Sequence, residues 1–139
     1  MHPSEFRCSI AWLVAGVFAT VAATAQPINP VVREGVTEKI SEHVYVIPDA
    51  SIPLVPNVGI IVGTRGTFVV DTGLGVRNGQ VVVREAAKVN RGTEQYLATT
   101  HFHPEHDLGA MAFPATTKLL RSTDQQKDIA EFGLQLAKS

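Results

Sequence analysis

The hydrophobic pattern changes its period twice between residues 67 and 100, and this restricts the fold more than any other feature of the chain. Residues 67–70 and 95–100 have the β-branched, apolar composition of buried strands. Between them, over residues 78–90, Val82 and Ala86 lie at the i and i+4 positions of an amphipathic helix. A strand, a crossover helix and another strand form a βαβ unit with parallel pairing, so the pattern predicts an α/β fold.

Further strands and a final helix flank this unit. Strand-like composition is found at residues 36–40, 43–47, 58–62 and 118–121, and a glycine-containing hairpin is expected at 63–66. Ser122 followed by Gln125 has the form of a capping box. We therefore expect a closing helix after Ser122, with Ile129, Phe132 and Leu136 as its apolar stripe.

Three of the five histidines lie within six residues, directly after the strand-like segment 95–100. The order at residues 101–106 is HFHPEH. Imidazole and carboxylate are ligands that zinc accepts, and open α/β sheets place their sites at the carboxyl ends of strands. The cluster therefore predicts a metal site. A purely structural zinc site is the minor alternative, because closed sites prefer thiolates.

The spacing within the cluster indicates two metal positions. His101 and His103 are two residues apart, and on an extended segment such side chains point the same way and can bind one ion. Pro104 favours the start of a helix, which would turn Glu105 and His106 toward a second ion. Two neighbouring metals can activate water near neutral pH and polarise the bond that it attacks.

These residues resemble the motif of the metallo-β-lactamase-fold hydrolases, which is HxHxDH with a glycine three residues after the last histidine. His101, His103, His106 and Gly109 match that motif as they stand. Asp71, at the end of a strand-like segment, matches the family's upstream aspartate. Both motifs occur in the family's order, separated by one βαβ unit.

The resemblance implies a fold and a set of site residues. The fold is the first half of an αββα sandwich, with a mixed sheet and helices on one face. By analogy with the family, His101 and His103 hold the first metal, Glu105 and His106 hold the second, and Asp71 supports the ligands.

Glu105 stands where the family usually has aspartate. The added methylene moves the carboxylate by roughly 1 Å, whereas metal–ligand distances vary by only about 0.2 Å. Glu105 therefore either binds the metal after a loop adjustment or acts as a catalytic base on water. Asp107 is the fallback ligand. At a helix start, however, its negative charge is more simply explained by a favourable interaction with the helix dipole.

The family completes its site with a histidine, a bridging aspartate and a last histidine from the second half of the sandwich. No histidine follows His106 in this chain. We therefore expect residues 36–139 to be the N-terminal part of such a domain, in a truncated frame or a fragment. The alternative to a hydrolase is a non-catalytic metal-binding or interaction fragment.

The first 25 residues have the layout of a secretory signal peptide. Arg7 precedes an uncharged run over residues 8–25 that ends in small residues. An uncleaved membrane anchor is disfavoured because the strongly apolar part is short. We expect cleavage after Ala25, export to a periplasm, no stable membrane association afterwards and a linker at residues 26–35. Cys8 would be removed with the leader, so any metal must be bound by histidine and carboxylate.

Composition and a few isolated features exclude other functions. Twelve Lys and Arg against 13 Asp and Glu give a net charge of -1, so no broad attraction to nucleic acid is expected. Gly73 and Gly75 lack the rest of a dinucleotide-binding fingerprint, so nucleotide binding is not supported.

His43 is expected at the surface. The apolar residues of loop 48–56, which are Ile52, Leu54 and Val55, either pack in the core or form a flap over a substrate.

The sequence thus predicts an exported zinc hydrolase that activates water against an ester, thioester, lactone, lactam or sulfate ester. One or two zinc ions are expected, with iron as the alternative because the same ligands suit it. The expected partners are a small-molecule substrate and either a second copy of the chain or the missing C-terminal half.

Overall fold

The computed structural model describes residues 29–138, so the predicted signal peptide lies outside the described residues. In chain order the strands are β1 (Glu38–Lys39), β2 (Val44–Ile47), β3 (Val58–Val62), β4 (Gly66–Val70), β5 (Glu94–Ala98) and β6 (Lys118–Leu120). The helices are α1 (Gly75–Val89), α2 (Pro104–Asp107) and α3 (Thr123–Leu136), and a 3-10 helix spans Leu108–Ala112.

The six strands form one mixed sheet in the order β1-β2-β3-β4-β5-β6. Strands β1 to β4 pair antiparallel, whereas β4 with β5 and β5 with β6 pair in parallel. Helix α1 is the crossover between β4 and β5, which confirms the predicted βαβ unit and the α/β class. Because parallel strands end at the same edge of a sheet, the carboxyl ends of β4, β5 and β6 lie together.

One face of the sheet carries the hydrophobic core. Ile60, Val69 and Leu97 are register neighbours on β3, β4 and β5, and each is at most 2% exposed. Val82 and Ala86 of α1 belong to the same buried cluster. Burying a large aliphatic side chain stabilises a fold by roughly 1.5–3 kcal/mol. This packing therefore fixes α1 against the sheet, while the alternate residues of β3 and β4 on the other face are only half-buried.

The described part of the segment assigned to a linker, residues 29–35, packs against α1. Val32 is 1% exposed and its N–H donates to the side-chain oxygen of Asn78 at 2.9 Å. The Asn78 amide donates in turn to the carbonyls of Pro30 at 2.7 Å and Leu74 at 2.8 Å. The folded body therefore includes these residues, because Val32 fills core space and satisfies a buried amide.

Helix α1 crosses the 3-10 helix at a backbone contact. A Cβ built on Gly79 would lie 2.1 Å from the carbonyl oxygen of Gly109, so only glycine allows this approach. The helix begins at Gly75, three residues before the predicted start at Asn78, because its apolar period becomes visible only after the first turn. The close contact between Gly79 and Gly109 fixes the position of the chain directly after the histidine cluster.

The two ends of the described chain differ from the core. Strand β1 is shorter than the predicted 36–40 segment, and both its residues are exposed at the sheet edge. At the other end, the Gln125 N–H donates to Ser122 Oγ at 3.1 Å, which confirms the capping box. No residue of α3 is fully buried, and Phe132 of its predicted apolar stripe is 41% exposed.

Within residues 29–138, no helix has the length and apolarity that crossing a bilayer requires.

Candidate metal site

Asp71 and the histidine segment meet at the carboxyl-end edge of the sheet. Val70 and Ala98, the last residues of β4 and β5, are register partners. The Asp71 N–H donates to the Ala98 carbonyl at 3.0 Å, and the Thr100 N–H donates to Asp71 Oδ1 at 2.8 Å. Parallel pairing therefore places the aspartate directly beside the residues that precede His101.

The structure brings His101, His103 and Glu105 together and places His106 beside His101, so Glu105 groups with the first histidine pair instead of with His106. The ring centroid of His101 lies 4.6 Å from that of His103 and 4.0 Å from that of His106. His101, His103 and Glu105 each offer a ligand atom, and these three atoms lie within 4.8 Å of one another. His103 Nδ1 is 3.8 Å from Glu105 Oε1. His101 thus occupies the centre of the cluster, with Glu105 on the side of His103.

The geometry of these three residues fits a zinc ion. Ligand atoms about 2.1 Å from a tetrahedral zinc lie roughly 3.4 Å apart, so the observed separations need to close by at most about 1.4 Å. The side chain of His103 is 50% exposed and that of Glu105 is 21% exposed, so neither is fully buried in the core. Two imidazoles and a carboxylate are a donor set that suits zinc and iron.

Helix α2 explains why Glu105 turns back toward His103. Pro104 occupies the first turn of α2, as predicted, and His103 precedes it in an extended conformation. The N–H groups of His106 and Asp107 both donate to the His103 carbonyl, at 3.0 and 3.1 Å. This single turn therefore folds the chain around His103 and brings the Glu105 carboxylate onto the same side.

His106 faces Asp71. Its Nδ1 lies 3.0 Å from Asp71 Oδ2, and the two side chains are 20% and 5% exposed. An imidazole whose Nδ1 faces a carboxylate retains a lone pair on Nε2, the arrangement usual for metal-binding histidines. Asp71 adopts a φ of 69°, which is uncommon for a residue other than glycine. Such strain persists only where the surroundings hold the residue, as the bonds at both ends of Asp71 do here.

Asp107 is engaged away from the cluster. It forms an ion pair with Arg121, and the two side chains are 15% and 18% exposed. The Thr99 hydroxyl also donates to Asp107, at 3.1 Å, and the Gln125 amide donates to Thr99 Oγ1 at 2.7 Å. This carboxylate therefore fastens α2 to the start of α3, which gives Asp107 a structural role instead of that of a fallback ligand.

The environment of His101 favours its neutral form. Burial lowers the pKa of His101 below the ordinary 6.5, and the neighbouring His106 and His103 lower it further. Asp71 and Glu105 act in the opposite direction but do not outweigh these effects. A neutral imidazole keeps the lone pair that metal binding requires, so His101 is ready to act as a ligand near neutral pH.

An apolar cavity of 450 Å³ opens beside His103 and Glu105. Its remaining walls are formed by Leu54, Leu74, Pro104, Leu108, Leu136 and Ala137. Of the apolar residues in loop 48–56, Ile52 packs against the core and Val55 is buried in it, while Leu54 is 50% exposed and lines the cavity. The loop therefore contributes Ile52 and Val55 to the core and Leu54 to the wall of the cavity, and a flap over a substrate stays a prediction.

Two residues around the site, Thr100 and Arg121, carry little signal in the sequence. The Thr100 hydroxyl lies 3.1 Å from both carboxylate oxygens of Asp71 and 3.1 Å from His101 Nδ1. Its position directly before the first histidine is the only sequence signal for this role. Arg121 carries no such signal, because its partner Asp107 is 14 residues away and on another element. His43, as expected, is at the surface, with its side chain 56% exposed.

The family model described as the metallo-β-lactamase superfamily matches residues 51–124, just over half of the chain. The matched segment contains Asp71 and the whole histidine cluster. No curated protein sequence matches the chain significantly.

Several solved structures share the fold. A metallo-β-lactamase from Erythrobacter litoralis, with β-mercaptoethanol in its active site, has a TM-score of 0.57 and 20% identity over 74% of this chain and 49% of its own. A B3 metallo-β-lactamase with an active-site glutamic acid has a TM-score of 0.56 and 16% identity over 72% and 37% of the two chains. A double mutant of the sec-alkyl sulfatase PisA1 has a TM-score of 0.54 and 16% identity over 69% and 16%. The chain spans less than half the length of each.

Proposed function

The chain belongs to the metallo-β-lactamase superfamily, and we propose that it is a zinc-dependent hydrolase acting on a small-molecule ester, thioester, lactone, lactam or sulfate ester. One observation carries the proposal: the ligand atoms of His101, His103 and Glu105 lie within 4.8 Å of one another at the carboxyl end of β5. A bound zinc ion supplies Lewis acidity, which polarises the bond to be cleaved and makes water a stronger nucleophile near neutral pH.

The residues of the cluster would have different roles in binding metal and activating water. His101 and His103 would hold the first metal, and His106, oriented by Asp71, would hold a second. Glu105 would act either as a ligand or as the base that accepts a proton from the attacking water. Its carboxylate fits both roles, because it is partly exposed and lies within 4.8 Å of both imidazole ligands. A B3 metallo-β-lactamase of the same fold has an active-site glutamic acid, which supports a catalytic environment for this residue type.

The cavity beside the cluster supports a substrate with an apolar group. Its walls carry leucine, proline and alanine, and the polar side chains among its described lining residues are His103 and Glu105. A volume of 450 Å³ lies in the ordinary range of small-molecule sites, roughly 300–1,000 Å³. An acyl or alkyl chain placed there would bring its ester or amide bond next to the metal ligands.

Export and completion of the site are part of the same proposal. The leader-like residues 1–25 support cleavage and a periplasmic location. The remaining metal ligands would come from a C-terminal half or from a second copy of the chain, because the chain spans less than half the length of its structural neighbours. The small number of ligands in the described chain favours a second candidate, a non-catalytic metal-binding module.

Metal analysis and an activity panel on the purified chain test these statements. We expect wild type to retain zinc after gel filtration and His101→Ala to lose most of it. His43→Ala is the matched control, because it removes an exposed imidazole outside the cluster. Equal zinc in wild type and His101→Ala would refute the metal site.

The activity panel separates the two candidate functions. Zinc-loaded wild type would be assayed against p-nitrophenyl acetate, p-nitrophenyl octanoate, p-nitrophenyl sulfate and a chromogenic β-lactam. Because the chain alone holds only part of the expected ligands, we expect turnover, lost in His101→Ala and in Glu105→Gln, in the fraction that elutes as an oligomer. Zinc binding without turnover in the monomer and oligomer fractions alike would leave the metal-binding module as the function of this chain.

A further inference from the structure

The hydroxyl of Thr100 lies between the buried aspartate and two of the imidazoles. It is 3.1 Å from Oδ1 and Oδ2 of Asp71, 3.1 Å from Nδ1 of His101 and 3.3 Å from Nδ1 of His106. The backbone N–H of Thr100 also donates to Asp71 Oδ1 at 2.8 Å, so the residue is held by the carboxylate at two points. Among the described hydrogen bonds, none joins Asp71 directly to His101. Thr100 therefore links the two residues.

The protons available to this group determine the direction of each bond. An ionised carboxylate only accepts hydrogen bonds, while a threonine hydroxyl has one proton to give. Donation from Thr100 to Asp71 is favoured, because a bond to a charged acceptor is roughly twice as strong as a neutral one. The Thr100 oxygen then accepts from its imidazole neighbours, so His101 must carry its proton on Nδ1.

We propose that Thr100 is a positioning residue that fixes His101 as the Nδ1–H tautomer and so leaves the lone pair of Nε2 free for a metal. The metal part of this statement rests on the proposed function, whereas the tautomer does not. Asp71 orients His106 directly and orients His101 through the Thr100 hydroxyl, so one buried carboxylate sets two ligands. Hydrogen-bond partners of this kind are worth about 10- to 100-fold in metal affinity at other sites.

The position of Thr100 allows a clean test. Thr100 is exposed, so replacing it does not disturb the core. Thr100→Val keeps the shape of the side chain and removes the hydroxyl, while Thr100→Ser keeps the hydroxyl and serves as the rescue variant. Thr117→Val removes a hydroxyl that bonds Gln95 instead, and is the matched control.

The first measurement is the tautomer of His101 in the metal-free chain, read from long-range ¹⁵N–¹H correlations of the imidazole ring above its titration range. We expect the Nδ1–H form in wild type, Thr100→Ser and Thr117→Val. In Thr100→Val we expect a shift toward the Nε2–H form, which unconstrained histidine prefers. A pure Nδ1–H tautomer in Thr100→Val would overturn the inference.

The second measurement is the dissociation constant for zinc, obtained by competition with a chromophoric chelator. We expect Thr100→Val to bind zinc at least about tenfold more weakly than wild type and Thr100→Ser to bind like wild type. Equal affinity in Thr100→Val and wild type would also overturn the inference, while leaving the proposed metal site intact. Absence of zinc binding in wild type, together with the tautomer shift in Thr100→Val, would support the positioning role and refute the proposed function.

Discussion

Replacing Gly109 by alanine tests the contact that holds the histidine cluster to the rest of the fold. Gly109 is buried in the 3-10 helix, and its N–H donates to the Gly73 carbonyl at 3.0 Å. A Cβ at this position would lie 2.4 Å from the Thr72 carbonyl oxygen, whereas ordinary contacts begin at 3.4 Å. The backbone would therefore have to move by about 1 Å, since the atom that is met belongs to the main chain and cannot rotate away.

The expected cost follows from two terms. Overpacking of this kind costs about 1–3 kcal/mol, and loss of the Gly109–Gly73 hydrogen bond adds about 1 kcal/mol. We therefore expect the free energy of unfolding to fall by roughly 2–4 kcal/mol. Zinc affinity should fall as well, because the N–H and hydroxyl of Thr72 both donate to the His106 carbonyl, at 3.1 and 2.7 Å.

Urea denaturation followed by circular dichroism measures the stability change, provided that the slope of the transition is the same in both proteins. Gly133→Ala is the matched control, because its Cβ would lie 3.4 Å from Ile129 and the change favours a helix by up to about 1 kcal/mol. We expect Gly133→Ala to be at least as stable as wild type. A Gly109→Ala variant with wild-type stability would refute the close-packing argument.

Three further predictions concern charged groups. Arg121→Met leaves the mostly buried Asp107 carboxylate without its cation, so we expect the free energy of unfolding to fall by about 1.5–3 kcal/mol in urea denaturation. An unchanged midpoint would contradict this role of Arg121. Burial acts to raise the pKa of Glu85, but hydrogen bonds from Lys88 and other donors outweigh it and hold the pKa below 4.5. The stabilisation by Glu85 is therefore present above pH 4.5 and lost as the pH falls below it. We expect the free energy of unfolding of Glu85→Gln to fall less steeply with decreasing pH below 4.5 than that of wild type. An equally steep fall in the variant would exclude Glu85 as the cause. The pKa of His101 lies below 6.5 in the metal-free fold, so the unfolded chain binds the proton more readily. We therefore expect the free energy of unfolding to decline as the pH falls through 6.5, and this decline to be smaller in His101→Ala. An equal decline in His101→Ala would show that another group causes it.

The βαβ unit could be predicted because it is encoded locally. The change of period between β4, α1 and β5 follows directly from the burial of Val69, Val82 and Leu97 on one side of the sheet. The boundaries were less accurate where tertiary contacts decide them. Helix α1 begins at Gly75 instead of at residue 78, and Asn78 is buried because its amide bonds the Pro30 carbonyl, 48 residues away.

The site shows the same division between local and distant information. The clustering of His101, His103 and His106 was visible in the sequence, because six consecutive residues on one turn stay close in any fold. The links from Thr100 to Asp71 and from Asp107 to Arg121 were not visible, since each joins separate elements. These contacts exist because β4, β5 and β6 pair in parallel and end at one edge.

The metal site is tested most directly by an anomalous difference map from crystals of the chain grown with zinc. We expect a peak within about 2.2 Å of ligand atoms from His101 and His103, with the Glu105 carboxylate either bound to the same ion or directly beside it. A peak confined to other residues, such as the exposed His43, or ordered side chains of the cluster with no peak among them, would contradict the claim that these residues converge on a divalent cation.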